Sequence, residues 1–546
     1  MSTQELIKQA DRAFSSEERT NKESIWQELA EYIWLSQSGL FNGVDAKGQK
    51  KTQNIFEPSG VQAAEDLSSA IHSVLTNPST TWSNLVFGED ALNEKEANSA
   101  FINRSKDKIH KLLNESNFDI QISKTYRSTV VLGSAPLFIE EKKDEVGRFN
   151  GFRFQALHLS EIAWQENFNG EVDTVYRKYR LTYKKLMERW EDSLPEEIKR
   201  NAKEFPDREE EIYFIVAPRE EHKKSRGLLL PKDRPVAGFY MLKRSGILLE
   251  ETGFYEQPYF IPRWMTRAGE VYGMGPGEMA LPEIRTINQA RKLALEAAPL
   301  AIRKPLKVSE KDLISDINIA PGDLTVLENS DSLQPIDLGT NFSEVQFLIQ
   351  ESRDMIRSMF YLDKLFLPPR TETGEMTAFE VDQRLAQMQR VLGPTLARFN
   401  YELLAPLIVT CFRMLLRGNV EHNNELLGPM PPQIAERGLD IEVKFVNQLS
   451  RAQELEELQA IQSFLQQDLA MVAQFKPEAI DLINFDGIVE RAVKIRNLFP
   501  EITLPDEVVD AVREQRAEAA QAQQQLEAGI GVADILSKTQ GITDNE

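Results

Sequence analysis

The sequence predicts a mainly helical α+β fold, and three observations predict it. Apolar residues recur at three- and four-residue spacing through roughly the first 140 positions, as they do along one face of a helix. Between about 150 and 270 that spacing gives way to short β-rich runs bounded by proline, glycine and charge. Helical spacing then returns and is cut by prolines. The chain has 546 residues, room for about three to five structural units with cores of their own.

In chain order, Ile25, Leu29, Tyr32 and Ile33 mark one early helix and Val61 to Leu75 a second, which Asn77-Pro78 ends because the residue before proline is pushed out of helical geometry. Glu211–Val216, Gly238–Leu242 and Gly246–Glu250 read as strands, interrupted upstream by a helical insertion at Thr182–Glu191. A helix is expected between Gly273 and Pro299, with Ile284, Ile287, Ala290, Ala294 and Ala297 as a small-residue stripe and Pro299 as its stop. Leu306–Val308 and Leu324–Leu327 are β-like pieces with a Pro321-Gly322 turn between them. Ser343 and Gln346 form a capping box for a second helix, its face read as Val345, Leu348, Ser352, Met355, Met359 and Leu362. Pro368 and Pro369 lack amide donors, so a loop projects to Met376. Thr377 and Glu380 cap a long helix through Val381, Leu385, Met388 and Leu392, with kinks expected at Gly393-Pro394 and Pro406. A strand follows at Leu439–Val446. Past Pro505 the Ala, Gln and Glu content suits a solvated helix or a disordered tail.

Composition narrows function. Lys and Arg number 64 against 85 Asp and Glu, a net charge of −21, which argues against a free-standing wrapper of nucleic acid. The lone Cys411 allows no internal disulfide and fits a reducing cytoplasm. The polar N-terminus shows no secretory signal, and the longest apolar stretch, Leu403–Phe412, covers about half of a membrane span, so no membrane partner is expected. His72, His110, His158, His222 and His422 stand singly, without the spacing that sets two imidazoles on one helical face for a metal. Gly43–Lys50 resembles a phosphate loop, but Gln49 stands where its lysine must be. Gly273-Met-Gly275-Pro-Gly277 lacks the spacing of a dinucleotide fingerprint, and Pro276 removes an amide. Cys411 sits among aliphatic residues, as inert thiols do. No catalytic, cofactor or metal site is expected, and nothing favours an enzyme. Trp26, Trp34 and Trp82 read as core residues, and Met355 and Met359 as adaptable packing.

Several segments, in order, resemble the head-to-tail connector, or portal, of short-tailed (T7-like podovirus) bacteriophages. They are Thr76-Asn-Pro-Ser-Thr-Thr-Trp82 to Phe87, Val130 to Glu140 around Gly133, Pro258-Tyr-Phe-Ile-Pro262 with Gly269 to Gly275, and Arg370-Thr-Glu-Thr-Gly374-Glu-Met to Glu380. The resemblance implies a portal fold: wing at 1–272, first stem helix 273–302, clip 303–342, second stem helix 343–365, tunnel loop 366–376, kinked wing helix 377–417, crown 418–500, and a barrel helix or disordered tail at 501–546. It also implies a ring of twelve copies at one capsid vertex of the virion, assembled in the host cytoplasm. The partners it implies are double-stranded DNA in the channel, the terminase large subunit, tail adaptor proteins, and the major capsid and scaffolding proteins.

The expected lumen is mostly acidic, because many Lys or Arg contacts to phosphate would trap a sliding duplex. Arg285, Arg291 and Lys292 on the first stem helix, and Lys364, Pro368, Arg370, Glu372, Gly374 and Glu375 at the loop, are the candidate channel residues. Arg303, Lys304 and Lys307 are the candidate clip docking residues. The alternative is that these charges are solvated helix faces or subunit salt bridges. Ile284 and Ile287 are read as an interface with the neighbouring stem, in preference to an internal core. Rival functions are another virion core or scaffold protein, or a cytosolic α+β enzyme with an unrecognised site.

Overall fold

The computed structural model describes residues 3–37, 55–88, 96–220, 229–302, 342–365, 391–432 and 441–445, with short pieces at 41, 92, 304, 306–307, 334–336, 461–465, 487–489 and 492. Its helices and strands run as follows: α1 Thr3–Phe14, α2 Glu17–Tyr32, α3 Ser59–Leu75, β1 Ser83–Phe87, α4 Glu96–Glu115, α5 Phe118–Leu132, β2 Leu137–Lys143, β3 Phe149–Ala156, β4 Ile162–Glu166 and β5 Val172–Thr182. Then come α6 Tyr183–Trp190, α7 Glu196–Glu204, β6 Glu209–Pro218, β7 Val236–Leu242, β8 Leu248–Phe254, β9 Tyr259–Phe260, α8 Pro276–Ile302, β10 Leu306–Lys307, β11 Gln334–Pro335, α9 Phe342–Met359 and α10 Leu362–Leu365. The helix α11, Val391–Glu421, and β12, Ile441–Phe445, complete the first compact unit, Met1–Leu449. Ser450–Glu546 form a second unit, whose described residues are helical.

A five-stranded antiparallel sheet, β4-β5-β6-β7-β8, lies in the first unit, with a three-stranded sheet β3-β2-β9 and a two-stranded ladder β1-β12. Strand β6 explains why Ile212 to Val216 read as an unbroken apolar run rather than an alternating one. Both its faces are covered: Tyr213 and Ile215 meet Leu6 and Ala10 of α1, while Phe214 and Val216 join the main core. Ile212 packs with Leu186 and Trp190 of the α6–α7 insertion. The main core gathers α2, α3, α5, α8, α9 and α11, and Trp26 (fully buried), Trp34 and Trp82 all lie in it. Trp26 spends its indole N–H on the Leu132 carbonyl at 3.0 Å, satisfying the one polar group it buries.

Several sequence expectations need correction. The first 140 residues are not all helix: Ser83–Phe87 is strand β1, paired antiparallel with Ile441–Phe445, a partner more than 350 residues away that no local pattern reveals. Strands β3, β4 and β5 were not anticipated individually. Helix α8 does not stop at Pro299 but runs to Ile302, since a proline in the last turn forfeits a single ladder bond. On α9 the buried line is Ile349, Ser352 and Ile356: Ser352 is where it was expected, but Ile349 and Ile356 take the inward places read for Leu348 and Met355, which are exposed. The strand at 441–445 pairs with β1 and lies in the first unit.

Just before Pro406 the helix contains a π segment, Asn400–Leu404, in which the Ala405 N–H reaches back five residues to the Asn400 carbonyl. Helix α11 is longer than its apolar stretch and is apolar and long enough to cross a membrane by composition, but 67% of its apolar window is buried inside the protein. Leu403, Leu407, Ile408, Cys411, Phe412 and Leu415 carry that burial, so it reads as a core helix. Burial pushes the Cys411 thiol well above its ordinary pKa, which leaves it unreactive.

Candidate functional site

Helices α8 and α9 pack against one another and bracket an antiparallel ladder, Leu306 with Pro335 and Lys307 with Gln334. The ladder lies between the two helices in the chain. The glycines before α8 have a packing role. A Cβ on Gly273 would stand 2.2 Å from the Gly133 carbonyl oxygen, one on Gly275 2.7 Å from that of Val130, and one on Gly277 2.6 Å from that of Val131. The start of α8 thus lies directly on the C-terminal backbone of α5, which Gly133 closes at φ +82°. Glycine is required because backbones touch, and no phosphate enters the account.

From that seam α8 projects with one face inward. Ile284 and Ile287 are 1% exposed and sit in the chain's own core, Ile284 against Gly60 of α3. The expectation that they form a neighbour's interface is therefore corrected: the helix needs that face to stay attached to α3. Arg285 is outside, paired with Glu28 of α2 at 3.2 Å. Lys292 holds its ammonium 5.8 Å from the Phe56 ring centroid. Arg291 faces a cleft of about 480 Å³ shared by the N-terminus of α3, α8 and α9, lined also by Glu57, Asp66, Arg353 and Arg357.

At the floor of this cleft lies Glu57. Arg353 donates to both its carboxylate oxygens at 3.1 and 3.0 Å, and the Ser59 hydroxyl donates at 2.6 Å. Burial alone would raise its pKa, but Arg353 and Ser59 overcome that and hold the carboxyl below its usual range. Asn288 of α8 accepts from the Phe56 and Glu57 amides at 2.8 and 3.3 Å, so the segment before α3 is tied to both helices.

A second hub joins the approach to α8 with the π segment of α11. Arg263, 8% exposed, donates its main-chain N–H to Glu402 Oε2 at 2.8 Å and its guanidinium to Glu402 Oε1 at 2.8 and 3.2 Å. Its Nη1 also donates to Glu166. Neither Arg263 nor Glu57 was singled out from the sequence, because the partners lie 139 and 296 residues away.

Of the remaining candidates, Lys304 and Lys307 are exposed, Lys307 on the ladder strand. Lys364 is exposed on α10, 3.9 Å from Asp363, just after Tyr361 at φ 58°. Arg303, Pro368, Arg370, Glu372, Gly374 and Glu375 lie outside the described residues, as do Gly43–Lys50 and the Thr377 cap. Among the described residues no group of three His, Cys, Asp or Glu could hold a metal.

Comparison with known proteins adds four findings. A profile of the family described as "Bacteriophage head to tail connecting protein" matches residues 3–501. The "Portal protein" of Salmonella phage epsilon15 is 25% identical over 538 residues, covering 96% of this chain and 93% of that protein. The "Probable portal protein" of Bordetella phage BPP-1 is 25% identical over 546 residues, covering 96% and 95%. A solved chain from the virion of a native gene transfer agent particle aligns at 12% identity over 79% of this chain and 93% of its own, with a TM-score of 0.33.

Proposed function

The chain belongs to the family of bacteriophage head-to-tail connecting proteins, and from that premise we propose that it assembles as a ring of twelve copies around the channel through which double-stranded DNA is packaged and ejected. A connector of this kind is a component of the virion at the portal vertex. The observation that carries the reading is the match across residues 3–501, which spans every helix and strand from α1 to β12. The role is structural: the ring hydrolyses nothing, and translocation is driven by a terminase docking at the clip, with Arg303, Lys304 and Lys307 as contacts, later replaced by tail adaptors. Major capsid and scaffolding proteins hold the rim.

With a net charge of −21 per copy, the bore repels a polyanion, and sparse cations at Lys364 and Arg370 guide the duplex without gripping it. Glu372, Gly374 and Glu375 complete the loop around it. Native mass spectrometry should give a mass near twelve chains, and negative-stain images a ring with a central hole; a stable monomer at every salt and concentration overturns the proposal. Arg370→Glu should leave ring formation intact and shorten the packaged genome, whereas unchanged packaging removes the loop from the channel.

A further inference from the structure

Helix α9 carries opposite chemistry on its two flanks. Ile349, Ser352 and Ile356 fix which line faces the core. At about 100° per residue, Arg353 and Arg357 then lie roughly a quarter-turn to one side, while Glu344, Leu348, Glu351 and Met355 follow one another as an exposed stripe on the other. The basic flank is deepened into a socket by Arg291 of α8, in the cleft above Glu57. Arg353 is occupied by Glu57, but neither Arg291 nor Arg357 makes a hydrogen bond or ion pair with a described residue. Leu348 and Met355 are 43% and 42% exposed and the adjoining Phe347 is 70% exposed, so α9 turns several large apolar side chains outward beside this stripe.

We propose that the occupant of this socket is a second copy of the chain: the stripe Glu344–Leu348–Glu351–Met355 of one copy seats against Arg291 and Arg357 of the next. The contact joins two different patches, so it repeats head to tail and closes into a ring only through rotation. This rests on the ring reading given above and adds to it which faces meet and in which order. Charge selects the occupant. Three arginines against Glu57 and Asp66 leave the socket only mildly cationic, matched to a carboxylate or two. A duplex, with a charge every 1.7 Å or so, is better met by a row of cations without carboxylates among them.

The test uses the full chain in three forms. R291E/R357E reverses the socket and E344K/E351K reverses the stripe. Each alone should lose ring formation at least tenfold at concentrations where the unaltered chain assembles, with unchanged circular dichroism. Mixed in equal amounts, each variant's stripe meets the other's socket with opposite charge, and rings containing both should appear by native mass spectrometry. A variant that misfolds could not be rescued by mixing. Independently, R357C/E351C should give a ladder of disulfide-linked oligomers on oxidation, because the two positions lie on opposite flanks of one helix and cannot reach each other within a copy.

Assembly of either reversal as well as the unaltered chain, a mixture that stays unassembled, or oxidation that yields monomer alone overturns the proposal. So does a socket reversal that spares rings but weakens their binding to duplex DNA, which makes the cleft a DNA contact. If the unaltered chain itself forms no ring, it is the preceding reading that fails; rings that ignore these substitutions sink only this contact.

Discussion

Arg263 is the residue whose loss should matter most to the fold. It is buried with two carboxylates, and truncating it leaves Glu166 without its counter-charge and Glu402 with only the more distant Arg398, 4.0 Å away, in a site that water reaches poorly. Arg263→Ala should lower the unfolding free energy by about 3–5 kcal/mol, read as a shift in the urea midpoint, while Glu402→Gln with Arg263 intact should cost less because a hydrogen bond to the amide survives. His158 gives a pH-dependent counterpart. Burial, with Arg19 nearby, holds its pKa down to about 4, against 6.5 for an unperturbed imidazole. The folded chain therefore keeps it neutral where the unfolded chain has taken up a proton. Stability should be unaffected by this group above pH 6.5 and fall by roughly 3 kcal/mol on the way down to about pH 4. His158→Gln should remove that slope in a pH series of melts. Glu57 has the usual carboxylate sign: its contribution is present above its unfolded value of 4.5 and is lost as pH falls through its lower folded value, so Glu57→Gln should flatten the acid limb beneath His158's.

At the scale of elements, the seam between α5 and α8 makes a sharp claim. Gly275→Ala places a methyl 2.7 Å from one carbonyl oxygen and 2.8 Å from another, both backbone, so relief requires the helices to separate. The expected cost is about 2–3 kcal/mol, visible as a lowered Tm, whereas Gly147→Ala in an open turn should suffer only from its φ of +85°. The same seam shows what a single chain can reveal. The glycines at 273, 275 and 277 announced a special backbone, but the partner that makes them necessary, the end of α5, is about 140 residues upstream. Helix α3, the strands β6 to β8 and the β12 run were legible because their periods are local. Strand β1 was not, since its register is set by β12, and two places on the inward line of α9 were misassigned because Leu348 and Met355 are as apolar as their buried neighbours Ile349 and Ile356. The partners of the candidate residues were not legible: Arg285 with Glu28 and Lys292 with Phe56 come from packing α8 on α2 and on the segment before α3.

For the whole molecule, the acidic balance sets how the assembly should respond to salt. Copies of net charge −21 repel one another, so raising ionic strength from low values should first favour association by screening that repulsion, then oppose it once the Arg291 and Arg357 contact is itself screened. Sedimentation velocity across a salt series should show a maximum in the ring fraction; a monotonic fall would mean that short-range attraction alone governs assembly.

The ladder between Ser83–Phe87 and Ile441–Phe445 also bears on synthesis. A ribosome must extrude most of the polypeptide before the early strand meets its mate, and until then that strand's edge is bare. A nascent or prematurely terminated product therefore lacks the closed N-terminal body that mature subunits share, so quality control can remove incomplete copies before any is built into a particle.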